Sequence, residues 1–255
     1  MLDSLLAGAL ADAAERRERT SLADVEAAAL ARPAALDALA ALAPADRVKI
    51  IAEVKRASPS RGDLAAIPDP ALQAARYEQG GASAISVLTE GRRFKGTLAD
   101  LTAVRERVTL PVLRKDFVAD PYQVFEARAA GADLVLLIVA ALDQPALAGL
   151  HALIGELGMT ALVEAHDADE LARAADLGAR LVGVNARNLS TFELDQTLFG
   201  SLADRFPADA IRVAESAVTT PDDVRRYRAD GADVVLVGEA LVTGDPVATL
   251  RAFLA

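Results

Sequence analysis

One phrase recurs four times along this chain of 255 residues. Gly81-Ala82-Ser83-Ala84-Ile85-Ser86-Val87-Leu88, Gly131-Ala132-Asp133-Leu134-Val135-Leu136-Leu137-Ile138, Gly178-Ala179-Arg180-Leu181-Val182-Gly183-Val184-Asn185 and Gly231-Ala232-Asp233-Val234-Val235-Leu236-Val237-Gly238 share one grammar. Each opens on a glycine suited to the left-handed turn that closes a helix. A short turn follows, then an apolar run of strand length. Runs without polar alternation suit parallel strands buried on both faces. Four more runs, Val48 to Lys55, Pro111 to Lys115, Thr160 to Glu164 and Ile211 to Glu215, bring the total to eight.

These strands are predicted to end near Lys55, Leu88, Lys115, Ile138, Glu164, Asn185, Glu215 and Gly238. Successive ends lie between 21 residues (164 to 185) and 33 residues (55 to 88) apart. Each gap has room for a loop, a helix of about three turns and a return. Helix starts are legible at Asp120-Pro121 and Thr220-Pro221, where a cap residue precedes a proline at the first helical position. Asp167 with Glu170 resembles a capping box. Strict β/α alternation in eight units predicts an α/β fold, a (β/α)8 TIM barrel with right-handed crossovers. The competing nucleotide folds lack their signatures: Arg56-Ala57-Ser58-Pro59-Ser60-Arg61-Gly62 follows the first strand where G-x-G-x-x-G belongs, and no P-loop occurs.

The expected organisation is one domain over residues 1–255, with an N-terminal helical extension (1–47) and the barrel (48–255). Leu2 to Arg19 is helical in period, with Leu2, Leu5, Leu6 and Ala9 on one side. Leu22 to Leu42 is rich in alanine and leucine and interrupted by Pro33. Eight units do not need these helices. They are either extra surface helices or a cover over one barrel mouth. The run Glu15-Arg16-Arg17-Glu18-Arg19 is most simply a solvated helix face.

Composition sets the classes of partner. Apolar residues make up 53% and charged residues 25%, ordinary for a packed globular protein. With 27 basic and 37 acidic residues the net charge is −10, and aromatics are only 4%. Nucleic acid is a poor partner for such a chain. Positive charge for a phosphorylated ligand must therefore be local. There are no cysteines and only His151 and His166, which excludes thiolate chemistry and a His-rich metal site. No run approaches the roughly 18 apolar residues that span a bilayer, and the N-terminus lacks a signal peptide's basic start. A cytoplasmic protein with no membrane partner is expected.

Barrel enzymes carry their chemistry at the C-terminal ends of the strands. Here those ends are charged: Glu53-Val54-Lys55, Arg114-Lys115-Asp116, Glu164, Asn185 and Glu215-Ser216. A charged strand end is costly to desolvate unless it is paired or functional. Two lysines and three glutamates converging on one rim make function the better reading. Lys55 and Lys115 are candidate general acids or electrostatic stabilisers, and Glu53, Glu164 and Glu215 candidate bases or orienting groups. A lysine that forms a Schiff base remains open. The loops after strands seven and eight often bind phosphate in such barrels. Backbone N–H groups near Ala217 and Gly238, with Ser58 and Lys55, are suited to that task. Glu239 argues against it, since an inward carboxylate repels phosphate.

Several segments together carry a resemblance. Ile51-Ala52-Glu53-Val54-Lys55-Arg56-Ala57-Ser58-Pro59-Ser60, Ser86-Val87-Leu88-Thr89-Glu90 before Phe94-Lys95-Gly96, Lys115-Asp116-Phe117 and Gly183-Val184-Asn185-Ala186-Arg187-Asn188-Leu189 resemble those of the indole-3-glycerol phosphate synthases over essentially the whole chain. The resemblance implies ring closure of 1-(2-carboxyphenylamino)-1-deoxyribulose 5-phosphate, with loss of CO2 and water, in tryptophan biosynthesis. It implies Lys115 as general acid at the ketone oxygen and Glu164 as acid/base group in the dehydration. Lys55 would pair with the substrate carboxylate or phosphate, while Glu53, Asn185 and Glu215 hold lysines and hydroxyls. Ser58, Ser216, Ala217, Gly238 and Glu239 would face the phosphate, Phe94 and Phe117 would line the anthranilate pocket, and Arg187 would bind substrate. No metal and no organic cofactor is required, the partner is a small phosphorylated molecule, and a monomer is favoured.

Two positions depart from the family. Alanine stands at 217 where glycine is usual, and glutamate at 239 where a small or polar residue is common. If the loop needs glycine's positive φ, Ala217 weakens phosphate binding or shifts the loop. A sibling sugar-phosphate isomerase is less apt, because its acid/base pair usually includes cysteine. A catalytically silent phosphate-binding barrel has only Ala217 in its favour.

Overall fold

The computed structural model describes residues 1–188, 191 and 193–255. Leu189, which closes the last quoted motif, lies outside the described residues. Eight parallel strands close into a barrel: β1 (Lys49–Val54), β2 (Ala84–Leu88), β3 (Val112–Lys115), β4 (Leu134–Ile138), β5 (Thr160–Ala165), β6 (Leu181–Asn185), β7 (Ile211–Glu215) and β8 (Val234–Val237). Every strand pairs with its neighbours in sequence, and β8 pairs with β1 to close the ring. The expected strand ends are met within a residue. Glycine supplies the positive φ that each helix-to-strand turn demands, at Gly81, Gly131, Gly178 and Gly231.

Helix ends follow from side-chain caps. Asp120 and Thr220 each close a reciprocal box, with Gln123 and Asp223 at the helices Pro121–Ala130 (α6) and Pro221–Ala229 (α10). At Ala168–Asp176 (α8) the expected box is only half made. Asp167 accepts from the Glu170 N–H, but the Glu170 carboxylate accepts from the N–H of His166 instead.

An alternation hidden in the apolar runs sorts their side chains. One set points outward and packs under the helices, including Ile50, Ala52, Val54, Val135, Leu137, Val182 and Val184. The other fills the barrel, including Ile51, Leu113, Leu134, Leu136, Leu162, Leu181, Val213 and Leu236. Followed toward the C-terminal ends, the inward positions become Glu53, Lys115, Glu164, Asn185 and Glu215. An apolar plug thus lies beneath a polar rim.

The extension consists of α1 (Leu2–Arg19), α2 (Leu22–Leu30) and α3 (Ala38–Leu42). Leu5 and Ala9 of α1 join the inner cluster, and Leu5 borders the cleft at the C-terminal mouth. Ala38 and Leu42 of α3 join the same cluster. The cover reading therefore holds for α1. The charge run departs from the solvated-face expectation at Arg16, while Arg17 stays exposed. Arg16 forms a fork to buried Glu126 at 2.5 and 2.8 Å, and Arg17 lies 6.0 Å from the Tyr122 ring centre. Among the described residues no helix is long and apolar enough to cross a membrane.

Candidate active site

One cleft at the C-terminal mouth is lined by all fourteen residues singled out from the sequence: Glu53, Lys55, Ser58, Phe94, Lys115, Phe117, Glu164, Asn185, Arg187, Glu215, Ser216, Ala217, Gly238 and Glu239. At its base, Lys115 Nζ lies 3.2 Å from Glu164 Oε2 and 3.4 Å from Glu215 Oε2. Both carboxylates are buried. Burial opposes a charge on Lys115, but Glu164, Glu215 and Glu53 outweigh it and hold the ammonium above its ordinary range.

The two glutamates divide the work between them. Burial pushes Glu164 toward neutrality, yet Lys115 and then His166 prevail and hold it at about 2. Burial and the charge on Glu164 push Glu215 well above its ordinary value. Two buried carboxyls beside one ammonium cannot both ionise cheaply, so Glu215 keeps the proton.

A second pair stands beside this triad. Lys55 Nζ lies 2.7 Å from Glu53 Oε1, and the Ser86 hydroxyl donates to Glu53 Oε2 at 3.4 Å. Gly238 must be glycine here, because a Cβ would sit 2.7 Å from Glu53 Oε1 and 3.1 Å from Lys55 Nζ. Gly183 is constrained likewise, since its Cβ would meet Glu215 Oε1 at 2.2 Å.

Asn185 Oδ1 accepts from the Ser216 hydroxyl at 2.8 Å and from the Arg187 N–H at 3.0 Å, joining the loops after β6 and β7. Ser216 and Ala217 both adopt positive φ, +69° and +58°. Alanine thus takes the left-handed conformation that glycine favours, at a cost of about 1–2 kcal/mol. Glu239 does not aim at this loop. Its carboxylate pairs with Arg61 at 2.7 Å, which neutralises the expected repulsion. On the other side, Phe94 and Phe117 face each other with ring centres 6.2 Å apart. The Glu90 carboxylate accepts the N–H groups of Arg92, Arg93 and Phe94, and so holds the turn that presents Phe94.

Sequence reasoning missed Leu5, Arg61, Ser86 and His166. His166 had a usable signal. It stands two residues after Glu164, and Glu170 follows four residues later, one helical turn on.

The sequence profile of the family described as indole-3-glycerol phosphate synthase matches residues 2–253. An indole-3-glycerol phosphate synthase from Leifsonia xyli subsp. xyli (strain CTCB07) is 73% identical over 253 residues, covering 99% of this chain and 97% of that one. One from Parafrankia sp. (strain EAN1pec) is 60% identical, covering 96% and 91%. Among solved structures, N-acetylmannosamine-6-phosphate 2-epimerase from Clostridium perfringens matches with a TM-score of 0.59 at 17% identity, over 76% of this chain and 87% of that one. Thiamine phosphate pyrophosphorylase from Pyrococcus furiosus gives 0.60 at 14%, over 81% and 93%. Identities this low speak for the barrel alone.

Proposed function

Since the chain belongs to the indole-3-glycerol phosphate synthase family, we propose that Lys115 and Glu164 are the acid and base of that family's reaction in this protein. The reaction closes the five-membered ring of 1-(2-carboxyphenylamino)-1-deoxyribulose 5-phosphate and releases CO2 and water. The observation that carries the assignment is Lys115 Nζ, held 3.2 Å from Glu164 and 3.4 Å from Glu215 at the base of the cleft.

The phosphate lies against the loops after β7 and β8, where Ser216, Ala217, Gly238 and the Arg61–Glu239 pair meet, with Ser58 nearby. The anthranilate ring lies along Phe94 and Phe117, its carboxylate toward Lys55, and Arg187 contacts the sugar chain. Lys115 gives its proton to the ketone oxygen as the ring carbon bearing the carboxylate attacks. Loss of CO2 returns the bonding electrons to the ring and restores its aromaticity. The new hydroxyl then takes a proton from Lys55 and leaves as water, and Glu164 takes the proton that the five-membered ring gives up. Glu215, held neutral, keeps Lys115 in place, and the proton taken by Glu164 can pass back to Lys115, 3.2 Å away. Glu53 and Asn185 hold Lys55 and the substrate hydroxyls.

We read residues 1–255 as one working unit, because α1 and α3 share the inner core with the strands. We read the active species as a monomer in the cytoplasm, because every side chain above comes from one copy.

Lys115→Ala tests the assignment. Turnover should fall by roughly a hundredfold or more, while substrate binding and the far-UV spectrum persist. A near-normal kcat would remove Lys115 as the acid.

A further inference from the structure

We propose that His166 is a positioning residue for Glu164, fixing the direction of that carboxylate and keeping it free to take a proton, while Glu170 holds the imidazole in turn. The proposal rests on Glu164 being the base. Glu164 is the last inward residue of β5, and His166 lies two residues on, just past the strand end. Lys115 occupies one oxygen of Glu164, Oε2 at 3.2 Å. His166 Nε2 stands 3.5 Å from the other, Oε1. The imidazole is mostly buried, and Nε2 is shut off from solvent with no hydrogen-bond partner among the described residues. The nearest acceptor it faces is therefore Glu164, and contacts of this kind are often long in a free enzyme and tighten around substrate.

Behind the ring, Glu170 Oε2 is 3.1 Å from Nδ1 and also accepts the His166 backbone N–H at 2.8 Å. This double contact fixes Nδ1 as the hydrogen-bearing nitrogen toward Glu170. The charged groups around the ring are Glu164 on β5, Glu170 on α8, Lys115 on β3, and Glu193 and Asp195 across a small pocket after β6. Carboxylates dominate, so the imidazolium is favoured. Burial alone lowers its affinity for a proton, but Glu170 and Glu164 reverse that.

His166 matters because of the proton shared with Glu215. Two buried carboxyls hold one proton between them, and two positive groups on Glu164 keep that proton on Glu215. Without His166 that preference weakens, and Glu164 takes up a proton at a higher pH than before. The mechanism uses no group on this side of Glu164, and the ring does not line the main cleft.

The test is the pH dependence of kcat and kcat/KM for His166→Leu and His166→Gln, beside Glu164→Gln. In His166→Leu the acid limb should move up by about one to two pH units, the size of one lost hydrogen bond to a charged group. At neutral pH, where Glu164 stays ionised in both proteins, the loss of its fixed direction should lower kcat about tenfold while KM stays within about twofold. Glutamine, which still donates to Oε1, should restore most of the rate. If the acid limb of His166→Leu superimposes on that of the unaltered enzyme while Glu164→Gln is inactive, His166 has no such role and Glu164 keeps its own. An active Glu164→Gln removes both assignments. Should the leucine variant fail to fold, Glu170→Gln must shift the limb in the same direction, and an unshifted limb there also overturns the proposal.

Discussion

Lys115 lies within 3.4 Å of both Glu164 and Glu215, yet the two acids behave oppositely. Glu164 is ionised by Lys115 and His166, and Glu215 is kept neutral by burial and by Glu164. An amide is a good copy of a neutral carboxyl and a poor copy of a carboxylate. Glu215→Gln should therefore keep kcat within about tenfold, whereas Glu164→Gln should lose roughly a hundredfold or more. Equal losses in steady-state kinetics would contradict this division. Stability separates them too. Glu164, depressed to about 2, stabilises the fold above its ordinary 4.5, and that contribution fades as pH falls from there toward 2. Glu215, raised, costs stability as pH climbs past 4.5 toward its folded value. Glu215→Gln should thus raise Tm at pH 8 and leave it unchanged at pH 4. The charged strand ends were legible in the sequence because charge closing an apolar run is conspicuous. The split between the glutamates was not, since it depends on distances the strand order alone sets. His166 showed both carboxylates close by in sequence, but not that its ring stands between them.

At the scale of elements, the barrel was legible because one glycine-led phrase recurs four times and several helices open on a capped proline. What the pattern concealed was direction. Strands buried on both faces show no polar alternation, so the inward set emerges only once the barrel closes. The short hairpin pairing Ala57–Ser58 with Gly62–Asp63 gave no signal, and neither did the four-residue helix Leu198–Ser201. Nor did the sequence tell where α1 docks, since Arg16 and Glu126 meet from 110 residues apart. That contact anchors the cover. Glu126 also lies 3.5 Å from the fully buried Arg114, which pairs with Asp116 at 2.9 Å beside Lys115. Arg16→Ala strips a charged hydrogen-bond fork from a buried carboxylate and should cost about 2 kcal/mol. Urea unfolding should show a lower midpoint with an unchanged m-value. An unaltered midpoint would mean that α1 is held by Leu5 and Ala9 alone.

Across the whole molecule, a net charge of −10 coexists with a mouth that gathers Lys55, Arg61, Lys115 and Arg187 around one cleft. Those four cations stand among five acids, Glu53, Asp116, Glu164, Glu215 and Glu239, and Glu53, Glu164 and Glu239 are each paired with one of them. The departure at 217 is absorbed by the backbone, for Ala217 takes the positive φ itself, and that at 239 by Arg61. Nothing in the cleft therefore marks the chain as a silent barrel. The most direct measurement mixes the purified protein with 1-(2-carboxyphenylamino)-1-deoxyribulose 5-phosphate and follows indole fluorescence alongside CO2 release. The expected result is a fluorescence rise matched mole for mole by CO2, and lost in Lys115→Ala. Substrate that binds without either signal, or a rise that survives in Lys115→Ala, would contradict the assignment of this cleft and its lysine.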